Sequence, residues 1–463
     1  MRKLANPFQP PFQHQVMVQL ARTITSATQA ANAQIAKPVI SLKSLTAKRQ
    51  QQPLWPVINF ELGAGELAVI SGPTGCGKST LLQIMADLIE PSSGMVIAPE
   101  QVALILQNPS IQVIREQLGP EVALALEARG IDSQQMPKLA RRALEQVGLD
   151  YPLEHGTHAL SHGQQYRLLI AAQLVVSPQL LLLDEPWAQL DDVGFCQLLQ
   201  LIEQLRQQGM AVVICEHWSS PYANIDHKSY RLDPLGLRLT QDANALPMTA
   251  SMPLELATPR VTAKMVMSLN EPLLTLGEHK QLQCRQLRAY QGEFVVITGV
   301  NGSGKSSLLN AIAGITPWQQ GNSDAQSLHL VWQEPSRQLC CHSVAAELQL
   351  GLTRLELTET ERQRRLNDTL AELGLTDIAE RSPMTLSYGQ QHLTAIASQL
   401  CLHPELLLLD DPFAGLDPLS QQRLLLALKQ RCEAGSCIVM TSHRPFLGAH
   451  RQWRIENGVL DEH

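Results

Sequence analysis

Short, continuously apolar runs alternate along this chain with stretches of helical periodicity, a pattern that predicts an α/β fold. In the first half the runs are Leu67-Ala68-Val69-Ile70, Val102-Ala103-Leu104-Ile105-Leu106, Leu180-Leu181-Leu182-Leu183 and Ala211-Val212-Val213-Ile214. Each has strand length and no polar face, as buried parallel strands do. Leu81-Leu82-Gln83-Ile84-Met85-Ala86 reads as helix after the first run, and Asp132 with Gln135 reads as a capping box for a helix through Leu139–Leu144 that stops at Gly148. Ahead of them, Val39–Leu42 and Val57–Leu62 read as strands. The second half repeats the pattern: Phe294-Val295-Val296-Ile297 is a strand, and Thr358 with Glu361 caps a helix that ends at Gly374.

Between the first strand and its helix lies Gly72-Pro73-Thr74-Gly75-Cys76-Gly77-Lys78-Ser79-Thr80, and the same loop returns as Gly299-Val300-Asn301-Gly302-Ser303-Gly304-Lys305-Ser306-Ser307. Strand, glycine-rich loop and helix in this order make a phosphate cradle: backbone N–H groups and the helix N-terminus face an anion. Lys78 and Lys305 reach β- and γ-phosphates, and the Ser79 and Ser306 hydroxyls are placed to ligate Mg2+. Two nucleotide sites are predicted.

The landmarks keep register. Gln107 and Gln333, Ser161 and Ser387, Asp184 and Asp410, and His217 and His443 are each 226 positions apart, and Lys78 and Lys305 are 227 apart. This is a duplicated domain. The expected organisation is an N-terminal extension over 1–37, a first domain over 38–235, a proline-containing connector over 236–262 and a second domain over 263–463.

With 463 residues and 44% hydrophobic content the chain is large enough for two cores, and its net charge of −7 argues against a nucleic-acid partner. It contains no uninterrupted apolar run of membrane-spanning length, and its N-terminus lacks the apolar centre of a signal peptide, so a cytoplasmic location is expected. Nine cysteines without paired zinc-type spacing read as reduced thiols, buried as small apolar residues apart from Cys76 in the phosphate loop, where alkylation is expected to block nucleotide.

Leu160-Ser161-His162-Gly163-Gln164 and Leu386-Ser387-Tyr388-Gly389-Gln390 resemble the signature motif of ABC ATPases, and the chain from about 39 to 460 resembles a tandem protein of that family. The resemblance implies two domains, each a RecA-like α/β core with a β-rich subdomain and a helical insert, paired as an intramolecular pseudo-dimer. Two Mg2+-ATP would lie between them, each held by one phosphate loop and by Ser161, Gly163 and Gln164 or Ser387, Gly389 and Gln390 of the opposite domain. It further implies that Asp184 and Asp410 hold Mg2+, that Glu185 is the catalytic base, that Gln107 and Gln333 sense metal and attacking water, that His217 and His443 touch the γ-phosphate, and that Asp191 and Asp417 belong to loops linking the sites.

Three departures stand out. Asp411 occupies the base position of the second copy, one methylene shorter than Glu185, so slow hydrolysis is expected there. No aromatic residue is clearly placed to stack on adenine, and Trp55 beside Pro56 suits core packing better. Gln189 and Asp192 replace the glycine and proline usual in the first linking loop. The shared Gln107-Asn108-Pro109-Ser110-Ile111-Gln112 and Gln333-Glu334-Pro335-Ser336-Arg337-Gln338 resemble the ATPases of energy-coupling-factor transporters. That likeness implies work on the cytoplasmic face of the cell membrane, with an integral membrane scaffold protein and a substrate-binding membrane protein as partners. A sugar-importer ATPase, a soluble tandem protein acting on ribosomes or DNA, and a scaffold without turnover are the alternatives.

Overall fold

The computed structural model describes the chain except residues 1–36, 50–51, 108, 191, 241–263, 271–272, 277–279, 285, 301, 317–326, 444–445, 447 and 463. The extension, most of the connector, Asn301 and Asp191 therefore lie outside the described residues.

Each half is built on a mostly parallel sheet. In the first, the order from edge to edge is Gly236–Leu239, Lys228–Asp233, Leu67–Ser71, Ala211–Glu216, Leu180–Asp184 and Val102–Ile105. In the second, Val459–Glu462, Arg451–Glu456, Phe294–Gly299, Cys437–Ser442, Leu406–Leu409 and Leu328–Val331 follow the same order, extended at one edge by Lys280–Cys284 and Leu273–Leu276. Every predicted apolar run is a strand. Gly236–Leu239 forms an antiparallel hairpin with Lys228–Asp233, so the first sheet continues into the stretch expected as connector.

The apolar runs are needed because both faces of each sheet are covered. Leu67, Val69, Leu181 and Leu183 face one core, with Leu144, Tyr166 and Ile202 from helices. Their neighbours Ala68, Ile70, Leu180 and Leu182 face another, with Leu81 and Leu82 of the phosphate-loop helix, Ile40 and Phe60 of the antiparallel strands, and Trp55 of the turn before Ile58–Leu62. The second domain divides its core in the same way: Phe294 and Val296 on one side, Val295 and Ile297 on the other.

The helix ends follow local chemistry, with one correction. Thr358 accepts a hydrogen bond from the Glu361 N–H, and Gly374, at φ +70°, ends that helix. In the first copy the helix starts at Met136, not at an Asp132 capping box, because Asp132 accepts from the Gln134 N–H and closes a turn ahead of it. Gly148, at φ +69°, follows the C-terminal end as expected.

Trp55 lies in the core, 2% exposed, and its ring occupies the space a side chain on Gly77 would need: a Cβ there would be 2.0 Å from the ring. Gly77 also has φ +97°, so both sterics and backbone require glycine. The tryptophan thus props the phosphate loop from beneath. Trp55→Ala is expected to destabilise the first domain by about 3–5 kcal/mol and to weaken nucleotide binding, measured by denaturant unfolding and nucleotide titration.

Candidate functional site

The candidate sites lie at the C-terminal ends of the central parallel strands, where the phosphate loops leave Leu67–Ser71 and Phe294–Gly299. Each loop folds back on its own lysine. Lys78 Nζ donates to the carbonyls of Gly72 (2.8 Å) and Pro73 (3.2 Å), and Lys305 Nζ donates to those of Gly299 (2.7 Å) and Val300 (3.0 Å). Gly75, Gly77, Gly302 and Gly304 all have positive φ, which curls the backbone around the loop centre. Thr74 Oγ1 and Ser303 Oγ are buried without a hydrogen-bond partner among the described residues. Ser79 and Thr80, like Ser306 and Ser307, begin the helices Lys78–Met85 and Lys305–Ile312.

In the first domain four expected residues meet around one carboxylate. Glu185 Oε1 lies 3.4 Å from Lys78 Nζ, and Glu185 Oε2 accepts from Gln107 Nε2 at 2.6 Å and lies 3.1 Å from His217 Nε2. His217 Nδ1 is 3.4 Å from Lys78 Nζ, closing the ring of contacts. Burial alone would raise the Glu185 pKa, but His217 and Lys78 outweigh it and hold the carboxyl well below its usual range. Burial would lower the pKa values of Lys78 and His217, and Glu185 raises both instead. Glu185 also sits at φ +49°, a left-handed conformation unusual for glutamate, which turns its side chain from the strand end into the site.

Asp184 is different. Burial, followed by the Glu185 charge, raises its pKa, only partly offset by a hydrogen bond from Ser79, and its Oδ1 has no hydrogen-bond partner among the described residues. A buried carboxylate oxygen without a partner beside a serine hydroxyl fits a divalent cation, whose charge would remove the cost of ionising it.

The second site has the same layout with different bonds. Asp411, at φ +48°, takes the place of Glu185, and its Oδ2 is 3.1 Å from His443 Nε2. The Thr441 hydroxyl donates to Asp410 Oδ1 at 2.7 Å and its oxygen accepts from the Asp411 N–H at 2.8 Å. The site is more open: the Asp411 and His443 side chains are 14% and 22% exposed, against 8% and 5% for Glu185 and His217. Gln333 engages through its backbone, its carbonyl accepting from the Tyr388 hydroxyl at 2.7 Å.

Ser161 and Ser387 are the N-caps of His162–Leu174 and Tyr388–Leu400, each in a capping box with Gln164 or Gln390. Since each serine oxygen accepts from the glutamine N–H, the hydroxyl proton remains available to a phosphate oxygen. Asp417 likewise caps Pro418–Glu433. Gly163 and Gly389 lie in the first turns of their helices, and a Cβ on Gly389 would be 2.1 Å from the Gly415 carbonyl. The two domains approach at the linking loop: a Cβ on Gly415, which has φ +69°, would lie 2.7 Å from Tyr388 and 3.1 Å from Gln107 Nε2 of the other domain.

Two expectations about cysteine need correction. The Cys76 thiol points inward against Gly72, and burial pushes its pKa up, so it is a poor alkylation target. Of the others, Cys196 and Cys340 are exposed and Cys341 is half-buried, so not all serve as core residues.

Sequence reasoning missed Glu216. It is 1% exposed, and its Oε1 accepts from the Trp187 N–H (2.8 Å) and the Tyr222 hydroxyl (3.0 Å), tying the turn after Glu185 to the strand that carries His217. The signal was a charged residue closing an apolar strand. Thr441 and Ser442 stand at the positions of Cys215 and Glu216 in the second copy, so the two sites are braced differently.

Parallel sheet, paired phosphate loops and buried carboxylates define a nucleotide-hydrolysing α/β protein. The sequence pattern of the family described as ABC transporter matches residues 56–188 and 282–414, more than half of the chain, and the chain belongs to that family of ATPases. A protein of Methanosarcina mazei described as an ABC transporter ATP-binding protein is 28% identical, covering 83% of this chain and 81% of its own. One from Vibrio parahaemolyticus with the same description is 29% identical over 85% and 82%. Among solved structures, the complex of an archaeal ribosome recycling factor with a ribosomal stalk protein superposes with a TM-score of 0.62 at 17% identity, covering 90% of this chain and 89% of that one. That likeness shows the fold, with its two cassettes in one chain.

Burial, then the neighbouring Glu185, pushes the Glu216 pKa up to about 7. Its unfolded value is about 4.3, so the contribution of this group to stability is fully present below that value and is lost as pH rises through the folded value. Glu216→Gln keeps the accepting oxygen. It is expected to gain on the order of 1–3 kcal/mol over wild type between pH 5 and pH 8, read from thermal unfolding at both pH values.

Proposed function

We propose that this chain is the ATP-hydrolysing subunit of an energy-coupling-factor type importer, driving uptake of a vitamin or transition-metal ion through separate membrane proteins. The observation that carries this reading is what the repeated Gln-x-Pro-x-x-Gln segment does. Gln112 Oε1 accepts from the Leu106 N–H (2.7 Å) while its Nε2 donates to the Leu104 carbonyl (3.1 Å). Gln338 does the same with Trp332 (3.0 Å) and Leu330 (2.7 Å). The second glutamine thus clamps the loop after Gln107 or Gln333 to the end of its strand. At the other end Glu121 and Glu347 each accept two backbone N–H groups at the entry to the helical insert. A loop fixed at both ends transmits movement at the glutamine to the insert, where a membrane partner docks. Ile111 and Ile114, 69% and 74% exposed on the first such loop, offer an apolar contact for it. No described helix is long and apolar enough to cross a membrane, so transport requires partners.

In this reading Lys78, Ser79 and Asp184, and Lys305, Ser306 and Asp410, hold Mg2+-ATP, which supplies the reacting phosphate and the cation that neutralises its charge. The serine and glycine of each opposite signature complete the site. Lys78 pairs with Glu185 at rest. When Lys78 turns to phosphate, Glu185 loses one of the charges that depress its pKa and becomes a better acceptor for a water proton, with His217 and Gln107 orienting it. Closing of the two domains on nucleotide and reopening after hydrolysis move the membrane partner. Asp411 is one methylene short, and about 1 Å of misplacement costs on the order of 100-fold in rate, so turnover is carried by the Glu185 site.

Glu185→Gln is accordingly expected to lower steady-state phosphate release by about 100-fold or more, while Asp411→Asn leaves most of it. Near-normal activity in Glu185→Gln would sink the assignment. The transport reading is tested by purifying tagged Glu185→Gln protein from detergent-solubilised native cells and identifying its companions by mass spectrometry. A multi-span membrane protein with a small, very hydrophobic one is the expected result. Ribosomes or DNA-repair proteins without a membrane partner would overturn it.

A further inference from the structure

Glu121 and Glu347 perform the same backbone task, but the residues they hold differ. In the first domain Glu121 Oε2 accepts from the N–H groups of Ile114 (2.9 Å) and Arg115 (2.6 Å). In the second, Glu347 Oε2 accepts from Cys340 (3.0 Å) and Cys341 (2.8 Å). The clamp works with isoleucine and arginine, so it does not require cysteine. What the cysteines add is a set of donors: the two Sγ atoms and a Glu347 carboxylate oxygen all lie within 4.8 Å of one another, the only such group among the described residues. Glu347 is buried, Cys340 is exposed and Cys341 is half-buried, so the set has a fixed floor and an open side. Glu347 Oε1 takes no part in the backbone clamp and lies 3.9 Å from Cys340 Sγ.

We propose that Cys340, Cys341 and Glu347 form a binding site for a thiophilic divalent cation of the zinc class, at the junction between the Gln333 loop and the helical insert of the second domain. Two thiolates and one carboxylate suit such an ion, and the exposed side leaves a fourth position to water. Binding releases the two thiol protons to solvent, leaving the sulfur atoms as thiolate ligands. The ion ties the Cys340-Cys341 turn to the helix Val344–Leu352 through side chains as well as backbone. It acts on the second domain only, because Ile114 and Arg115 stand at the corresponding positions of the first.

The test uses the reduced full-length protein titrated with Cd2+, whose thiolate complexes absorb in the near ultraviolet, followed by displacement with Zn2+. Wild type is expected to develop the thiolate band to one equivalent, and the Cys340→Ser/Cys341→Ser double variant to lose it while keeping its thermal unfolding midpoint. Glu347→Gln retains an oxygen for the clamp and is expected to bind at least about tenfold more weakly, since removal of groups that merely support a ligand already costs 10–100-fold. An identical band in wild type and double variant, or no stoichiometric band in wild type, overturns the proposal. So does an intact mass showing the freshly purified pair already joined as a disulfide, two hydrogens lighter.

Discussion

The first domain is arranged around a charge that cannot be left alone. Lys78 is buried beneath a loop of backbone carbonyls, and the charge is tolerable because Glu185 lies 3.4 Å away. Glu185 in turn needs Lys78, His217 and Gln107, which come from three other strands or their loops. Four ends of one sheet are thereby held in register by electrostatics. Such a cluster is suited to a switch, because an anion that competes for Lys78 changes the condition of Glu185 at once.

The duplicated domain uses the same frame with a different distribution of interactions. Replacing Cys215 by Thr441 lets one hydroxyl bridge Asp410 and the Asp411 backbone, so the second site is braced by a hydroxyl relay. Replacing Glu216 by Ser442 removes the buried carboxylate that ties down the Trp187 turn. The shorter Asp411 leaves its site more open to water. Two copies of one fold thus carry one tightly paired centre and one looser centre, and the close approach of Gly415 to Gln107 brings the linking loop of one domain to the site of the other.

Both copies retain the clip at each end of the loop that joins the sheet to the helical insert. Gln112 and Gln338 extend the strand edge by a side-chain amide, and Glu121 and Glu347 gather backbone N–H groups at the far end. These polar groups are satisfied locally, which lets an irregular segment keep one shape. Variation is concentrated on the outward side of the loop, as Ile111 and Ile114 in one copy and Arg337 and Cys340 in the other.

The sequence by itself determined the strands, the phosphate loops, the duplication and the order of the polar landmarks, because each depends on local rules: apolar runs for strands buried on both faces, glycines where φ is positive, serine and glutamine three apart at a helix start. The Asp132 helix start was misread because aspartate serves a turn as readily as a cap, and only the neighbouring chain decides between them. Trp55 was legible as a core residue, but not as the prop beneath Gly77. Tertiary structure alone decided which groups meet Glu185, which thiols are exposed, that Glu216 braces the turn after Glu185, and that Cys340, Cys341 and Glu347 converge. These are contacts between side chains brought together by sheet order and helix packing, and no spacing along the chain encodes the distance between them.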